Sequence, residues 1–254
     1  MTDAPGPQVA WVTGAGKGIG RAVARRLALN GWTVAASART AEDLASLAAD
    51  CPPGAVHGFP LDVTDLAMSQ STVQLIERQL GEIELAVLNA GTHSPMAAEQ
   101  FSVETFRRLV ETNLMGTVNG LAQIIPKLIE RKRGHIAVVA SLAGYRGLPT
   151  AAAYGATKAG LINMCEALKP ELECHGVRLT LINPGFIETP LTDKNDFPMP
   201  YLMPVEDAAD RIVRGLRRTA FEVAFPWRFA FLMKFLRLLP DRMFFMLTRR
   251  MIGG

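Results

Sequence analysis

Short apolar runs alternate with segments of helical periodicity along almost the whole chain, and this alternation is the feature that most constrains the fold. Neighbouring parallel strands need a long crossover between them, which is usually a helix, so the pattern favours a parallel sheet covered on both faces. We expect strands over residues 8–13, 32–37, 55–59, 83–88, 134–140, 177–182 and 222–225. Helices are expected over residues 21–30, 40–50, 64–80, 102–131, 151–174 and 204–218, with an irregularity near Gly116 and Gly120. The sequence therefore predicts an α/β fold with a doubly wound parallel sheet of about seven strands.

The chain has the size and composition of one large globular domain. It has 254 residues, of which 49% are hydrophobic and 20% are charged. This is enough material for a buried core. We expect a single domain over 1–254, with a flexible leader at 1–7 and an apolar, basic helical extension at 227–254.

A glycine-rich turn follows the first predicted strand and precedes the first predicted helix. Residues 13–20 read Thr-Gly-Ala-Gly-Lys-Gly-Ile-Gly. Glycines let the backbone turn sharply and approach a pyrophosphate closely, and the N-terminus of the following helix favours the negative charge. Strand, turn and helix in this order make a dinucleotide site the favoured interpretation over a plain tight turn. The candidate binding residues in the turn are Gly14, Lys17, Gly18, Ile19 and Gly20.

Several glycine and polar residues come directly after predicted strands. In open α/β sheets, ligands bind outside the carboxyl ends of the strands. We therefore expect these residues to meet in one crevice although they are far apart in the sequence. They are Gly14, Arg39, Asp62, Asn89, Ser141 and Pro184.

Tyr154 and Lys158 have the spacing of an acid–base pair on one face of a helix. A nearby ammonium group stabilises a phenolate, so we expect Lys158 to lower the pKa of Tyr154. A tyrosine tuned in this way can give a proton to a carbonyl oxygen or take one from an alcohol. Ser141 supplies a hydroxyl that can hold the same oxygen. The alternative is a surface tyrosine and lysine at helical spacing.

Between about residue 8 and residue 226 the chain resembles the short-chain dehydrogenase/reductase family of about 250 residues. The matching positions, in the family's order, are Thr13, Gly14, Gly18, Gly20, Asp62, Val63, Asn89, Ala90, Gly91, Asn113, Ser141, Tyr154, Lys158, Pro184 and Gly185. The resemblance implies a Rossmann-type fold, a nicotinamide cofactor and chemistry on CH–OH groups. It also implies a homodimer or homotetramer built through the helices after the fourth and fifth strands.

The resemblance also implies roles for single residues. Asp62 hydrogen-bonds the adenine amino group and Val63 backs the ring, while Asn89, Ala90 and Gly91 pass close to the cofactor ribose. Pro184, Gly185, Ile187 and Thr189 belong to the segment that contacts the nicotinamide amide, and Lys158 also binds the nicotinamide ribose. Asn113 holds a water that links Lys158 to solvent. The structural alternatives are a helix cap for Asp62, with Thr64 as another possible cap, and a packing role for Asn113.

The residues after the second predicted strand favour NADP(H) over NAD. An acidic residue there would bind the ribose 2′-hydroxyl and repel a 2′-phosphate. This chain has Arg39 instead, and Lys17 in the glycine turn adds a second cation. Guanidinium and ammonium groups both bind phosphate. The alternative is that Arg39 stacks on the adenine and Lys17 is a solvated loop residue.

Residues 227–252 are aromatic, rich in methionine and basic, and Pro240 predicts two short helices. Charged residues and the proline interrupt any apolar run long enough to span a bilayer. Three interpretations stay open: a lid or subunit contact, a peripheral membrane contact, and core packing. The residues where the family places its substrate loop are also apolar: Phe186, Phe197, Met199, Tyr201, Leu202 and Met203. Together these segments predict a lipophilic substrate.

Charge and cysteine content argue against other classes of protein. The net charge is +3, and no dense basic tract precedes the C-terminus, so nucleic-acid binding has little support. Cys51, Cys165 and Cys174 lack the spacing of metal ligands and indicate reduced thiols, and no histidine has a partner at a ligand spacing. Residues 1–7 have neither a basic start nor an apolar core, so we do not expect them to be a secretion signal. We expect a cytoplasmic protein without a metal, with the membrane-peripheral location as the alternative.

The expected function is reduction of a lipophilic ketone or aldehyde with NADPH, with Tyr154 as proton donor. One alternative is NADP-dependent oxidation of an alcohol or hydroxysteroid. Another is a catalytically silent nucleotide-binding or membrane-peripheral protein, which the complete set of Asn113, Ser141, Tyr154 and Lys158 disfavours.

Overall fold

The computed structural model describes residues 8–192 and 199–249. Its centre is a seven-stranded, all-parallel sheet in the order β3-β2-β1-β4-β5-β6-β7. The strands are β1 (Val9–Thr13), β2 (Thr33–Ala38), β3 (Val56–Pro60), β4 (Ile83–Leu88), β5 (His135–Val139), β6 (Arg178–Pro184) and β7 (Glu222–Phe225). All seven predicted strands are confirmed, with ends that differ by two residues at most. Predicted leader residues 1–7 lie outside the described residues.

Helices cover both faces of the sheet, as the alternation predicts. They are α1 (Gly18–Leu29), α2 (Ala41–Ala49), α3 (Leu66–Leu80), α4 (Val103–Leu109), α5 (Gly116–Arg131), α6 (Ala152–Cys174), α7 (Val205–Leu216), α8 (Trp227–Leu238) and α9 (Asp241–Arg249). One core lies between the sheet and α1, α2 and α7, and the other lies between the sheet and α3, α5 and α6. Because every central strand is buried on both faces, its residues form a continuous apolar run, which made the strands easy to predict.

The long helix predicted over residues 102–131 is interrupted by one π-helical segment, Val110–Met115. The irregularity was predicted at Gly116 and Gly120. The structure places it earlier, and Gly116 is the residue at which regular α-helix resumes. Single π turns often occur at functional sites. This one carries Asn113.

The strand order reverses between β1 and β4, because the chain builds β1, β2 and β3 toward one edge and then returns to the other side of β1. Such a reversal opens a crevice at the carboxyl ends of the two central strands. Thr13 ends β1, and Asn89 directly follows β4. The topology therefore positions the predicted crevice between the glycine turn and residues 89–91.

The C-terminal extension forms the two predicted helices, with Pro240 between α8 and α9. The inner side of α8 places Phe229, Ala230 and Met233 in the core on the α6 side of the sheet. Core packing is therefore correct for one face of the extension. The outer face is described further below.

Candidate active site

Thr13 joins the two strand ends at the crevice. Its hydroxyl oxygen accepts hydrogen bonds from the backbone amides of Asn89 at 3.0 Å and Ala90 at 3.1 Å. The Asn89 amide group in turn donates to the Thr13 carbonyl at 3.1 Å. These bonds fix residues 89–90 against the glycine turn. The sequence reasoning used Thr13 as part of a motif but gave it no role of its own.

The glycine turn has a geometry that side chains would prevent. Gly14 and Gly18 have φ angles of +66° and +55°, in the left-handed region that favours glycine. A Cβ on Gly20 would lie 2.2 Å from the Gly14 carbonyl oxygen and 2.4 Å from the Asn89 amide nitrogen. Lys17 precedes α1 without a side-chain cap. The first amides of α1 therefore keep their capacity to bind an anion, and the cradle fits a pyrophosphate.

The segment after β6 reaches the other side of this cradle. A Cβ on Gly18 would lie 3.2 Å from the Thr189 methyl carbon. Ile187 is buried and pairs with Met203 in a short bridge. The predicted nicotinamide segment, Pro184 to Thr189, thus lies across the crevice from the glycine turn.

Two cations, Arg39 and Lys17, lie near the end of β2, as predicted. A carboxylate near them, Asp43, was not predicted. Arg39 is exposed and lies close enough to Asp62 to favour its ionised form. The Lys17 ammonium is 3.6 Å from the Asp43 carboxylate, which lies on the first turns of α2. Gly16 lies beside the same aspartate, since a Cβ there would be 3.3 Å from its oxygen. Asp43 thus adds a negative charge beside Lys17, one of the two cations predicted to favour NADP(H).

Asp62 does not cap α3, and neither does Thr64; the cap is Asp65, whose side chain accepts from the Met68 amide at 2.8 Å. Instead one Asp62 oxygen accepts from the Thr64 amide at 3.0 Å and its hydroxyl at 2.8 Å. The hydrogen bond from the Thr64 backbone amide is the main reason that the pKa of Asp62 lies below its ordinary value. Asp62 is thus held as a fixed carboxylate at the crevice.

Val63 is held in place by α5. The Asn119 side chain donates to the Val63 carbonyl at 2.9 Å. Gly116 leaves room for the Val63 side chain, because a Cβ there would be 2.6 Å from its methyl carbon. Neither contact was predicted, since both come from the first turn of α5, which is more than 50 positions from Val63 in the sequence.

Ser141, Tyr154 and Lys158 come together at the carboxyl edge of β5 and β6. The Ser141 side chain lies close enough to the Tyr154 phenol to favour its ionised form. The Ser141 hydroxyl donates to the Pro184 carbonyl at 3.4 Å and accepts from the Ala143 amide at 3.2 Å. The hydroxyls of Ser141 and Tyr154 are thus neighbours beside the predicted nicotinamide segment.

The Lys158 ammonium is buried and donates to the Val139 carbonyl at 2.9 Å. Burial lowers its pKa to about 8. A Cβ on Gly91 would lie 3.6 Å from the Lys158 nitrogen, so the lysine borders the predicted ribose segment. The group is still mainly protonated at neutral pH.

The net fall predicted for the pKa of Tyr154 is wrong for this structure. Burial raises the pKa of the Tyr154 phenol, and the nearby Ser141 side chain only opposes that rise. The lysine nitrogen is 5.7 Å from the centroid of the tyrosine ring and is engaged with the backbone. The spacing of four residues gave the correct face of the helix but not the balance between burial and charge.

Asn113 is fully buried, and its side chain hydrogen-bonds residues of two different segments. Its side-chain oxygen accepts from the Thr92 amide at 2.7 Å, and its nitrogen donates to the Thr92 carbonyl at 2.9 Å and to Thr157 at 3.1 Å. The carbonyl of Asn113 accepts from the Thr117 hydroxyl at 3.0 Å. These bonds tie the loop after Gly91 to the helix that carries Tyr154 and Lys158. The predicted water link stays a prediction.

His93 and Phe229 also border the site and were not predicted. The His93 ring packs edge-on against Tyr154, with centroids 4.7 Å apart. Phe229 of α8 stacks on Phe186 at 5.6 Å and on Tyr201 at 6.2 Å. Sequence inspection saw His93 as isolated because its partner is 61 positions away. Predicted loop residue Phe197 lies outside the described residues, and no cluster that could hold a metal occurs within residues 8–192 and 199–249.

Comparison with known proteins gives one consistent relationship. The family model described as short chain dehydrogenase matches residues 8–198. An uncharacterized oxidoreductase of Myxococcus xanthus is 38% identical over 96% of this chain and 97% of its own length. The 3-oxoacyl-(acyl-carrier-protein) reductase FabG of Thermotoga maritima is 34% identical over 74% of this chain and 77% of its own. A solved structure of 3-ketoacyl-(acyl-carrier-protein) reductase from Brucella melitensis complexed with NADH has a TM-score of 0.80 at 28% identity, covering 88% of this chain and 99% of that chain.

Proposed function

The chain belongs to the short-chain dehydrogenase family of oxidoreductases, and we propose that it reduces a lipophilic ketone or aldehyde to an alcohol with NADPH. The observation that carries this proposal is the grouping of Ser141, Tyr154 and Lys158 at the carboxyl edge of the sheet, with Ser141 beside the Tyr154 phenol and the Lys158 ammonium on the Val139 carbonyl. A ketoreductase named for its acyl substrate is among the relatives, which supports reduction of a carbonyl group.

The residues of the site supply and position a proton. A nicotinamide cofactor, when bound, supplies the hydride. The Tyr154 phenol is protonated at neutral pH even at its ordinary pKa, and burial raises that pKa, so it can act as an acid toward a carbonyl oxygen. Ser141 holds the same oxygen through its hydroxyl. As the proton leaves, the charge of Lys158 and the neighbouring Ser141 hydroxyl favour the phenolate that forms.

The cofactor is proposed to lie across the switch between β1 and β4. Gly14, Gly18 and Gly20 would hold the pyrophosphate, Asp62 and Val63 the adenine, and Lys158 the nicotinamide ribose. The preference for NADP(H) rests on Arg39, which follows β2, and on Lys17 in the glycine turn, which are both exposed. Asp43 opposes this preference in part, since its carboxylate neutralises Lys17 at 3.6 Å.

Cofactor preference can be tested by placing a carboxylate at the end of β2. In Ala38→Asp, the new side chain should repel a 2′-phosphate and favour a free ribose hydroxyl. We expect the ratio of kcat/KM with NADPH to that with NADH to fall at least about tenfold, since a nearby like charge costs more than about 1 kcal/mol in a partly buried site. An unchanged ratio would remove the argument for NADP(H).

The proposed substrate is lipophilic because an aromatic cluster borders the segment after β6. Phe229 stacks on both Phe186 and Tyr201, and a Cβ on Gly185 would lie 2.9 Å from its ring. Apolar walls of this kind discriminate substrates by the apolar area they bury. We propose a homodimeric or homotetrameric enzyme of the cytoplasm that acts on ketones with an alkyl chain or a fused ring system.

The function is tested by pairing a screen with three variants. Ketones of increasing chain length are mixed with NADPH, and the loss of its absorbance is followed. Tyr154→Phe should lower kcat at least about a hundredfold, because general acid catalysis is worth about 10² to 10⁴ in rate. Ser141→Ala should fall by a similar factor, whereas Ser71→Ala, an exposed serine of α3, serves as the matched control.

Cofactor binding separates the alternatives. Calorimetry should show that Tyr154→Phe still binds NADPH, because only the phenolic hydroxyl is removed. If wild-type protein binds NADPH but reduces none of the ketones, a silent nucleotide-binding protein is the better description. If it oxidises long-chain alcohols with NADP but reduces no ketone, the proposed direction is wrong.

A further inference from the structure

The outer face of α8 is an exposed apolar stripe. Trp227, Phe231, Phe235 and Leu238 follow one another at helical spacing, and all four are exposed. Phe231 is 71% exposed and Leu238 is 82% exposed. Surface helices normally turn such a stripe toward the core, so a contiguous exposed one indicates a contact with something else.

The exposure of the stripe does not come from poor packing of the helix against the rest of the protein. Arg146 donates to the carbonyls of Arg237 and Leu239, both at 2.9 Å, and pairs with Asp241 at 2.6 Å. Its guanidinium also lies 4.3 Å from the centroid of the Phe244 ring. Both helices are thus fastened to the body of the protein, with their inner residues already buried.

Neighbouring elements enlarge the apolar surface. Four apolar side chains of α9 are exposed: Met243, Phe245, Met246 and Leu247. We call residues 227–249 the C-terminal helix pair. The exposed apolar surface of this pair is a contiguous patch and not a set of single scattered apolar residues.

The charge of the helix pair identifies its partner. Residues 227–249 contain five basic side chains, Arg228, Lys234, Arg237, Arg242 and Arg249, and a single acidic one, Asp241, so the segment carries +4 against +3 for the whole chain. All five basic side chains are exposed; Lys234 pairs with Glu222 and Asp241 pairs with Arg146, so the net positive charge of the segment comes from its four arginines. Two copies of such a surface would repel each other, whereas an anionic surface attracts it.

We propose that the C-terminal helix pair docks on the surface of an anionic phospholipid bilayer. The apolar stripe of α8 would enter the boundary between headgroups and acyl chains, and the basic side chains would lie among the phosphate groups. Within residues 8–192 and 199–249, no helix has the length and apolarity to cross a bilayer, so the contact is peripheral.

The docking surface and part of the aromatic cluster beside the candidate active site lie on opposite faces of one helix. Phe229, on the inner face of α8, stacks on Phe186 and Tyr201. Docking through the outer face of α8 would therefore hold the candidate site close to a bilayer in which a lipophilic ketone dissolves. This second point rests on the proposed function; the docking itself does not.

Vesicle sedimentation with the full chain tests the proposal. The vesicles are either phosphatidylcholine alone or an equal mixture of phosphatidylcholine and phosphatidylglycerol. We expect binding to the mixed vesicles that weakens with added salt, and much weaker binding to phosphatidylcholine alone. The double variant Phe231→Glu/Leu238→Glu should bind at least about tenfold more weakly, because two side chains lose their burial in the bilayer. The matched control is Leu29→Glu, an exposed leucine at the end of α1, which should bind like the wild type.

A second variant removes charge and keeps all four side chains of the apolar stripe. Arg228→Gln/Arg242→Gln should lose roughly fivefold per charge in binding to the mixed vesicles, since one basic residue near such a surface contributes about that factor. Thermal unfolding shows whether each variant is folded. Ketone reduction in vesicle-free buffer tests the proposed function separately, since the exposed stripe does not border the site.

The proposal fails if wild-type protein does not sediment with the mixed vesicles, or if both double variants sediment as it does. It also fails if the wild type does not bind vesicles and light scattering shows that Phe231→Glu/Leu238→Glu changes the oligomeric state. A second copy of the chain would then cover the stripe. Vesicle binding without ketone reduction would leave the docking intact and count only against the proposed function.

Discussion

Acid should destabilise this protein through one buried histidine, His135 at the start of β5. Its side chain is buried, and its Nε2 atom lies 2.9 Å from the Thr180 hydroxyl. Burial, with a smaller contribution from Arg178, lowers its pKa from 6.5 to about 3. The unfolded chain therefore takes up a proton below about pH 6.5 that the folded protein does not accept until about pH 3. Stability from this residue is complete above 6.5 and is lost as the pH falls through that window.

The size of the effect follows from the two pKa values. Between pH 8 and pH 5, linkage predicts a loss of about 2 kcal/mol in the free energy of unfolding from His135 alone. The replacement His135→Gln keeps a group that can hydrogen-bond Thr180 but does not titrate. The variant should therefore lose about 2 kcal/mol less than the wild type over the same pH interval, whatever its stability at pH 8.

Urea unfolding at fixed protein concentration, followed by tryptophan fluorescence at pH 8 and pH 5, measures the difference. His175→Gln is the matched control, because His175 is exposed at the end of α6. It should show the same pH dependence as the wild type. If His135→Gln loses as much stability as the wild type between the two pH values, His135 is not kept neutral by burial and the reasoning is refuted.

Three further predictions concern the cofactor and the proton donor. Gly20→Ala should weaken NADPH binding at least about tenfold by calorimetry, because overpacking this turn costs about 1–3 kcal/mol. Gly147→Ala, where a Cβ meets open space, should bind NADPH like the wild type. Equal affinities of the two variants would contradict a pyrophosphate site at the glycine turn. Asp43→Asn should raise the preference for NADPH over NADH about threefold to fivefold, because Lys17 loses a partner whose exposed ion pair is worth up to about 1 kcal/mol; no change in the ratio of kcat/KM would place both residues away from the 2′-phosphate. The kcat/KM for ketone reduction should fall as the pH rises through about 8, where the Lys158 ammonium loses its proton; a flat profile to pH 10 would exclude its charge from the step.

The elements of this fold were predictable because parallel strands buried on both faces are continuous apolar runs. Residues such as Gly14 and Ser141 could be placed in one crevice for a related reason: each follows a strand, and the strands share a carboxyl edge. That reasoning reaches only residues next to strand ends. Asp43 and His93 were missed because a helix face and a loop bring them to the crevice from elsewhere.

Energetic balance was harder to predict than position. Spacing alone placed Tyr154 and Lys158 on one helix face, but the direction of the Tyr154 pKa depends on how much water reaches the phenol. A π-helical segment likewise leaves no simple periodic signature, so the break around Asn113 was predicted a few residues too late.

Arg146 connects the C-terminal helices to the loop that follows Ser141. It stands five positions after Ser141, and it gives all its described hydrogen bonds to residues after 235. Trimming the chain before residue 236 would leave this guanidinium with no acceptors and loosen the loop that carries the serine. An affinity tag therefore belongs at the N-terminus, and a preparation clipped near its C-terminus should be judged by its turnover before its purity on a gel.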